Sequence, residues 1–470
     1  MRRDAKEVWN TLYYKMRQEW IVPDIETYLE LSEAFRGGNT HANRFFVAPE
    51  DCDPIITENV KSYDRSSSYP DVMCNCLFPL GQWKIRPGIK KLKDIEHYIS
   101  RGKAVVFRCS FSRLRLKKWN WGCPYLSKDK GRNIDPEATI DNGRILYAET
   151  YDTTLTDVDW KIVSYEYEWD DVEFYDVKIC TYKPLPEPFI KLIQSYYKNK
   201  TELKGIEEKR YLYNESKAKI NSLYGMSAQK TLRDPILFTD NDEELYEEGE
   251  ADYSKQISDS IRRAFLPYSV GVWVTAWARY WLERAIMLVE ETPNAYFIYT
   301  DTDSIKFVGE VDFTALNAEI QANSERSGSY ATDRKGKIHY MGVYEYEETY
   351  PKFATMGAKK YIYGDDEHIH VTISGVVKKD KDGTEVSALE LKSLGGFKAF
   401  KAGTIFRKAG GIEAVYNDAK HVCRYTVDGH EIDVTRNVCL RSSTYTLGLA
   451  AEYSRLLKML IIGVDNPNVL

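Results

Sequence analysis

Three short clusters in this 470-residue chain combine side chains suited to metal, phosphate and an aromatic base. The first is Tyr299-Thr300-Asp301-Thr302-Asp303-Ser304. The apolar run Ala295 to Ile298 precedes it, and Ile305, Lys306, Phe307 and Val308 alternate after it, so the segment reads as a β-hairpin with two carboxylates at its bend. Acids two apart on an extended segment point to one side, and such crowding is costly unless a cation neutralises it. The spacing alone favours a solvated Asp-x-Asp turn; the flanking strands shift the balance toward metal. The second cluster is Ser62-Tyr63-Asp64-Arg65-Ser66-Ser67-Ser68-Tyr69-Pro70, an acid at a strand end followed by a serine turn that begins a helix. Free backbone N–H groups there can hold a triphosphate, or Ser66 or Ser67 can simply cap the helix. The third is Lys217-Ala218-Lys219-Ile220-Asn221-Ser222-Leu223-Tyr224-Gly225. On a helix Lys217, Asn221 and Tyr224 share one face. Ammonium, amide and ring in a row suit phosphate, sugar and base; the plainer alternative is a solvated lysine near a helix end.

The elements that must position these clusters follow from pattern. Arg3 to Trp20 reads as an amphipathic helix, and Asp51, Asp53 and Pro54 mark a loop before a strand ending at Tyr63. Val105 to Phe111 is strand-like, and Leu146 to Cys180 reads as several short strands. Pro184, Pro186 and Pro188 precede a helical region from Phe189 to Tyr224, interrupted near Gly205 and closed by Gly225 as a C-cap. Acidic loops follow to about Arg263, and Gly271 to Glu290, apolar on nearly all sides, is a buried helix. Sheet alternating with helix and long excursions indicate an α+β core with insertions.

Composition sets limits. Apolar residues at 43 % and charged residues at 29 % are those of an ordinary globular protein, and no apolar run is long enough for a membrane span. The polar N-terminus resembles no signal peptide. Eight cysteines include no CxxC, which indicates a reducing, cytoplasmic setting and structural thiols. A net charge of −6 argues against a simple nucleic-acid coat. Charge is segregated, however: Arg101 to Arg132 holds ten Lys/Arg and one acid, with Trp119 and Trp121 interleaved, whereas Asp240 to Asp252 is strongly acidic. An acidic total can therefore conceal a basic channel. The 35 tyrosines could stack on bases, although most fill half-wet cores.

The three clusters resemble motifs A, B and C of family B DNA polymerases: Asp-x-x-Ser-x-Tyr-Pro, Lys-x-x-x-Asn-Ser-x-Tyr-Gly and Tyr-x-Asp-Thr-Asp-Ser, in the family's order. Arg36-Gly37-Gly38 resembles the Tyr-x-Gly-Gly element of protein-primed bacteriophage polymerases, with Phe35 at the tyrosine, and Lys359-Lys360-Tyr361 resembles their Lys-x-Tyr motif. Gly271 to Tyr280 resembles the helix before motif C in that branch, and Ser68 stands where motif A usually has leucine. The resemblance implies a two-metal nucleotidyl transferase using Mg²⁺, or Mn²⁺ in its place, with Asp64 and Asp303 as bridging ligands and Asp301 in support. It assigns Ser67, Ser68, Tyr69, Lys217, Asn221 and Tyr224 to the incoming dNTP, Tyr69 being the steric gate against a 2′-OH. It assigns Arg36, Gly37, Gly38, Ser222, Gly225, Thr302, Ser304, Lys359 and Tyr361 to primer–template DNA.

The implied architecture is a right hand carrying two insertions. Residues 1–100 hold an N-terminal segment and the first part of the palm, 101–185 an insertion toward the priming protein and DNA, and 186–225 the fingers. Residues 226–270 form a strand-displacement insertion, 271–379 the second part of the palm, and 380–470 the thumb and C-terminal region. Motif A begins too early for the family's exonuclease domain, so no intrinsic proofreading is expected; Asp24-Ile25-Glu26 mimics that domain's Asp-x-Glu and is expected to be a surface turn. Partners would include a terminal priming protein and a separate exonuclease subunit. A split polymerase and a non-catalytic DNA-binding paralogue are the competing readings, the latter opposed by intact Asp64, Asp301 and Asp303.

Overall fold

The computed structural model describes residues 24–229 and 267–407, with shorter pieces between 232 and 259 and between 412 and 461. The expected helix Arg3 to Trp20 and most of the acidic run Asp240 to Asp252 lie outside the described residues.

The described chain enters through helix α1 (Ile25–Ala34) and strands β1 (Thr40–Ala42) and β2 (Thr57–Arg65), then turns at Ser66–Ser67 into α2 (Ser68–Asn75). It leaves for a second sheet built on β3 (Lys103–Leu116), β4 (Arg144–Thr156) and β5 (Asp171–Lys183), with α3 (Asp157–Glu166) between the last two. Helices α4 (Glu187–Leu203) and α5 (Arg210–Ser227) form a hairpin across Gly205, whose φ of 80° suits a residue without Cβ. The buried α6 (Tyr268–Glu291) returns the chain to the hairpin β6 (Tyr296–Asp301) and β7 (Ser304–Val308). Helix α7 (Thr314–Ser327) and strands β8 (Tyr344–Thr355), β9 (Lys360–Gly364) and β10 (Ile369–Ile373) follow, then α8 (Val386–Leu394) and α9 (Ala451–Ile461).

The first sheet runs β1-β6-β7-β2-β8-β9-β10, every pairing antiparallel. Its register brings the clusters together: Asp64 on β2 lies opposite Ser304 on one side and Glu345 on the other. One core joins α1, α2, α4 and α6 to the β6–β7 side of this sheet, with Trp273 fully buried; truncating such a ring costs ~3–5 kcal/mol. A Cβ on Gly271 would stand 2.8 Å from the Ala228 backbone, so α6 meets the end of α5 backbone to backbone. A second core unites the second sheet with Ile298, Tyr350 and Phe353 of the first, and α9 returns to it through Tyr453, Leu456 and Leu457. A third packs Leu391, Phe397 and Phe400 against β9 and β10.

Three local expectations are corrected. Leu146 to Cys180 forms two long strands around α3, not several short ones, because Thr156 and Asp159 build a capping box that starts a helix. Gly225 is not a C-cap: α5 runs on to Ser227, and a Cβ at Gly225 would meet open space. Asp24-Ile25-Glu26 is a helix start: Asp24 caps α1 by accepting the Thr27 N–H at 2.8 Å, and Glu26 pairs with Lys178 at 3.1 Å.

Candidate active site

The site gathers where the ends of β2, β6 and β7 meet the turn into α2. Asp64 is the last residue but one of β2, and the Arg65 N–H donates to the Asp303 carbonyl at 2.9 Å, tying the two acid-bearing segments together. Burial, then Asp303 and Glu347, push the Asp64 carboxyl up to about 7. Burial raises Asp303 as well, with Asp301 adding to it against the pull of Arg65. Lys306, buried beneath these acids, donates to Ser304 Oγ at 2.6 Å, and burial lowers its ammonium pKa.

The motif C pair is not arranged as an extended segment would present it. Asp301 ends β6, Thr302 turns with φ 65°, and Asp303 lies in the turn, so the alternation of a strand is broken between them. Asp301 faces Lys359 Nζ, with which it forms a close ion pair, and accepts from Thr40 Oγ1 at 3.2 Å and Thr302 Oγ1 at 3.1 Å. Lys359 also donates its backbone N–H to Tyr299 OH at 3.0 Å, and Tyr361 packs on Tyr299 with centroids 4.8 Å apart. The Lys-x-Tyr segment thus rests on the motif C strand.

Motif A and motif B meet through their tyrosines. Tyr69 stacks on Tyr224, centroids 4.0 Å apart and 25° from parallel, and burial raises the Tyr69 phenol pKa. Ser67 takes the N-cap position of α2 in a left-handed conformation without capping it; its hydroxyl instead accepts from Lys200 Nζ at 3.1 Å. Ser68 is buried and accepts from Arg65 Nη1 at 2.9 Å. On α5, Lys217, Asn221, Ser222 and Gly225 are exposed and Tyr224 is half-buried.

The Arg36-Gly37-Gly38 segment lies behind the motif C turn. Arg36 is buried, its guanidinium donating to the Thr154 carbonyl and Thr153 Oγ1, both at 2.8 Å, while Gly37 and Gly38 are exposed. A Cβ on Gly38 would stand 2.7 Å from Thr302 Cγ2, so the turn requires glycine there.

Two groups at the site carry no sequence signal of their own. Lys200 on α4 stands near Asp64 and Glu345, and burial followed by Lys217 lowers its pKa. Glu347 is the unpaired residue of a bulge in β8 and accepts from Ser62 Oγ at 2.8 Å. Lys200 could have been suspected as a lysine one helix before motif B; Glu347 hides in an acidic strand.

The donors suit a hard divalent cation. Among the described residues there is no group of three or more His, Cys, Asp or Glu shaped as a metal cage. The raised carboxylates of Asp64 and Asp303 are a pair, and Mg²⁺ is commonly held by one or two carboxylates completed by substrate phosphates. Their repulsion is what a cation would relieve.

By structure, the chain is similar to Phi29 DNA polymerase complexed with primer-template DNA, at 18% identity and a TM-score of 0.63 over 95% of this chain. It is similar also to the same polymerase with primer-template DNA and incoming nucleotide substrates, at 19% identity and 0.61 over 95% of this chain and 67% of that one. The chain covers 66% of the first of these, just under two thirds of its length. No curated protein matches it in sequence. The family described as DNA polymerase type B, organellar and viral, matches residues 3–270, more than half of the chain, and the chain belongs to that family.

Proposed function

We propose that the chain is a DNA-directed DNA polymerase that adds dNTPs to a primer 3′-OH. The observation that carries this reading is that Asp64 near the end of β2 and Asp303 in the adjoining β6–β7 turn are both half-buried with raised carboxyls, Asp303 adding to the rise of Asp64, opposite a lysine held at the mouth of α2. Two Mg²⁺ ions bound there would activate the 3′-OH and neutralise charge at the leaving pyrophosphate. Asp64 and Asp303 would hold them, with Asp301 freed for support when Lys359 turns to the primer strand. Lys200 and Lys217 would neutralise the triphosphate, aided by the N–H groups of Ser67, Ser68 and Tyr69. The Tyr69–Tyr224 stack would form the floor beneath the sugar and exclude a 2′-OH, flanked by Asn221. Ser222, Gly225, Gly37, Gly38, Thr302, Ser304, Lys359 and Tyr361 would line the DNA. For Arg36 the support is indirect, since its buried guanidinium braces the segment that carries the two glycines.

The reading extends to strand displacement by residues 226–270, which lie between motif B and α6, and to priming from a terminal protein through the second sheet. It includes no proofreading by Asp24 and Glu26, since one caps a helix and the other pairs with a lysine. Primer extension on an open template, with and without a terminal protein and across a downstream duplex, tests synthesis, priming and displacement, and degradation of a mismatched primer tests proofreading. A purified chain that extends no primer with Mg²⁺ or Mn²⁺ overturns the central reading.

A further inference from the structure

The catalytic turn is supported from behind, and we propose that Asn39 is the positioning residue that does so, by fixing Asp301-Thr302-Asp303 to the second sheet and to α6. The proposal rests on the polymerase reading above. Thr302 sits at φ 65°, a left-handed conformation that a β-branched residue holds only when its surroundings enforce it. The enforcement is local: the Asn39 carbonyl accepts the Thr302 N–H at 2.7 Å, Gly38 leaves the space that Thr302 Cγ2 fills, and Thr40 Oγ1 donates to Asp301 at 3.2 Å. Of these three neighbours, Asn39 is the one whose side chain is anchored elsewhere.

That anchor is built from separate parts of the fold. Asn39 is 1 % exposed. Its Nδ2 donates to Glu283 Oε1 at 2.7 Å and lies 3.3 Å from Cys123 Sγ, while its Oδ1 accepts from Arg144 Nη2. Arg144 in turn donates to the Tyr125 carbonyl at 2.8 Å. One amide therefore joins α6, the 123–125 loop and the start of β4, and its own backbone carries the result to Thr302. Glu283 makes this specific. It is a carboxyl on α6 that is only 1 % exposed, its Oε2 is buried without a partner, and such a group is costly unless it orients something. Holding the Asn39 amide in one orientation is that task.

The consequence is kinetic. A misplacement of about 1 Å at reacting groups costs on the order of 10²-fold in rate without loss of binding. The test compares N39A, N39S, E283Q and E283A with the wild-type chain for kcat, dNTP KM, primer–template Kd, thermal melting and hydrogen exchange of the 299–305 peptide. N39A is expected to lose at least about tenfold in kcat, with KM and Kd within about threefold, and to exchange faster at the turn. E283Q, whose amide oxygen can still accept from Asn39, should stay within about threefold of wild type, whereas E283A should behave like N39A, and the double variant should be no worse than the poorer single one. A folded N39A with wild-type kcat and exchange overturns the proposal, as does E283Q failing as badly as E283A. Where N39A gives no melting transition, N39S decides by the same criteria. A wild-type chain that extends no primer counts against the polymerase reading; the exchange comparison still decides the role of Asn39.

Discussion

The two sheets hold charge in opposite ways. On the second sheet four arginines of the stretch Arg101 to Arg132 are met by acids from neighbouring segments: Arg108 by Glu33 and Asp176, Arg113 by Asp170, Arg115 by Glu168 and Asp170, and Arg132 by Glu33, all within 2.6–3.1 Å. Trp121 stacks on Tyr165 instead of facing outward. The first sheet instead leaves Asp64 half-buried beside Asp303 of the β6–β7 turn, with Lys306 buried beneath, and leaves their repulsion standing. Neutralised charge marks scaffold, whereas charge kept in conflict marks the place where a ligand completes the structure.

The contrast breaks most visibly at the acids. Asp64→Ala or Asp303→Ala should lower nucleotide incorporation at least about 10³-fold, ~4 kcal/mol of barrier, with primer–template affinity little changed; a variant within tenfold of wild type would remove that residue from the reaction. Next in size is the gate. Tyr69→Val should relax discrimination between dNTP and rNTP by about 10²-fold, read as the ratio of kcat/KM values, and an unchanged ratio would assign the exclusion elsewhere.

The conflict should also appear in stability. Folding raises the Asp64 carboxyl to about 7, so the metal-free folded state binds this proton more tightly than the unfolded chain. Stability is therefore lost as pH rises from the ordinary carboxylate range toward 7. In EDTA, Asp64→Asn should melt higher than wild type by a margin that widens from pH 5 to pH 7.5, and added Mg²⁺ should narrow it. A margin independent of pH would contradict this. The smallest effect belongs to the second sheet: Arg113→Ala with Arg115→Ala should change stability by no more than ~1 kcal/mol and DNA affinity by less than about threefold. A steep loss of affinity in a salt titration would instead make that face a DNA surface.

The clusters were legible because each lies on one short stretch, where spacing alone expresses a strand end, a turn or a helix face. The hairpin at Asp301, the helix carrying Lys217 and the buried helix near Gly271 follow from such local patterns. Lys200 and Glu347 were not legible, since they reach the site only through tertiary packing. The ion pairs of the basic stretch were not legible for the same reason, as Glu33, Asp170 and Asp176 lie outside it. Within 146–180 the β-formers hid a helix because its capping box spans only Thr156 to Asp159. The pairing of Asp64 with both Ser304 and Glu345 is a matter of register, which one sequence leaves open.

The bulge at Glu347 divides β8 into two phases. Tyr344 and Tyr350 are an even number of residues apart, so on a regular strand both would face one way, yet Tyr344 belongs to the helical core and Tyr350 to the core shared with the second sheet. The extra residue is the half-step that lets one strand serve both cores. Replacing Glu347 would alter one side chain. Deleting it would shift the frame of the strand and turn one tyrosine out of its core, so this position tolerates a change of letter far better than the loss of one.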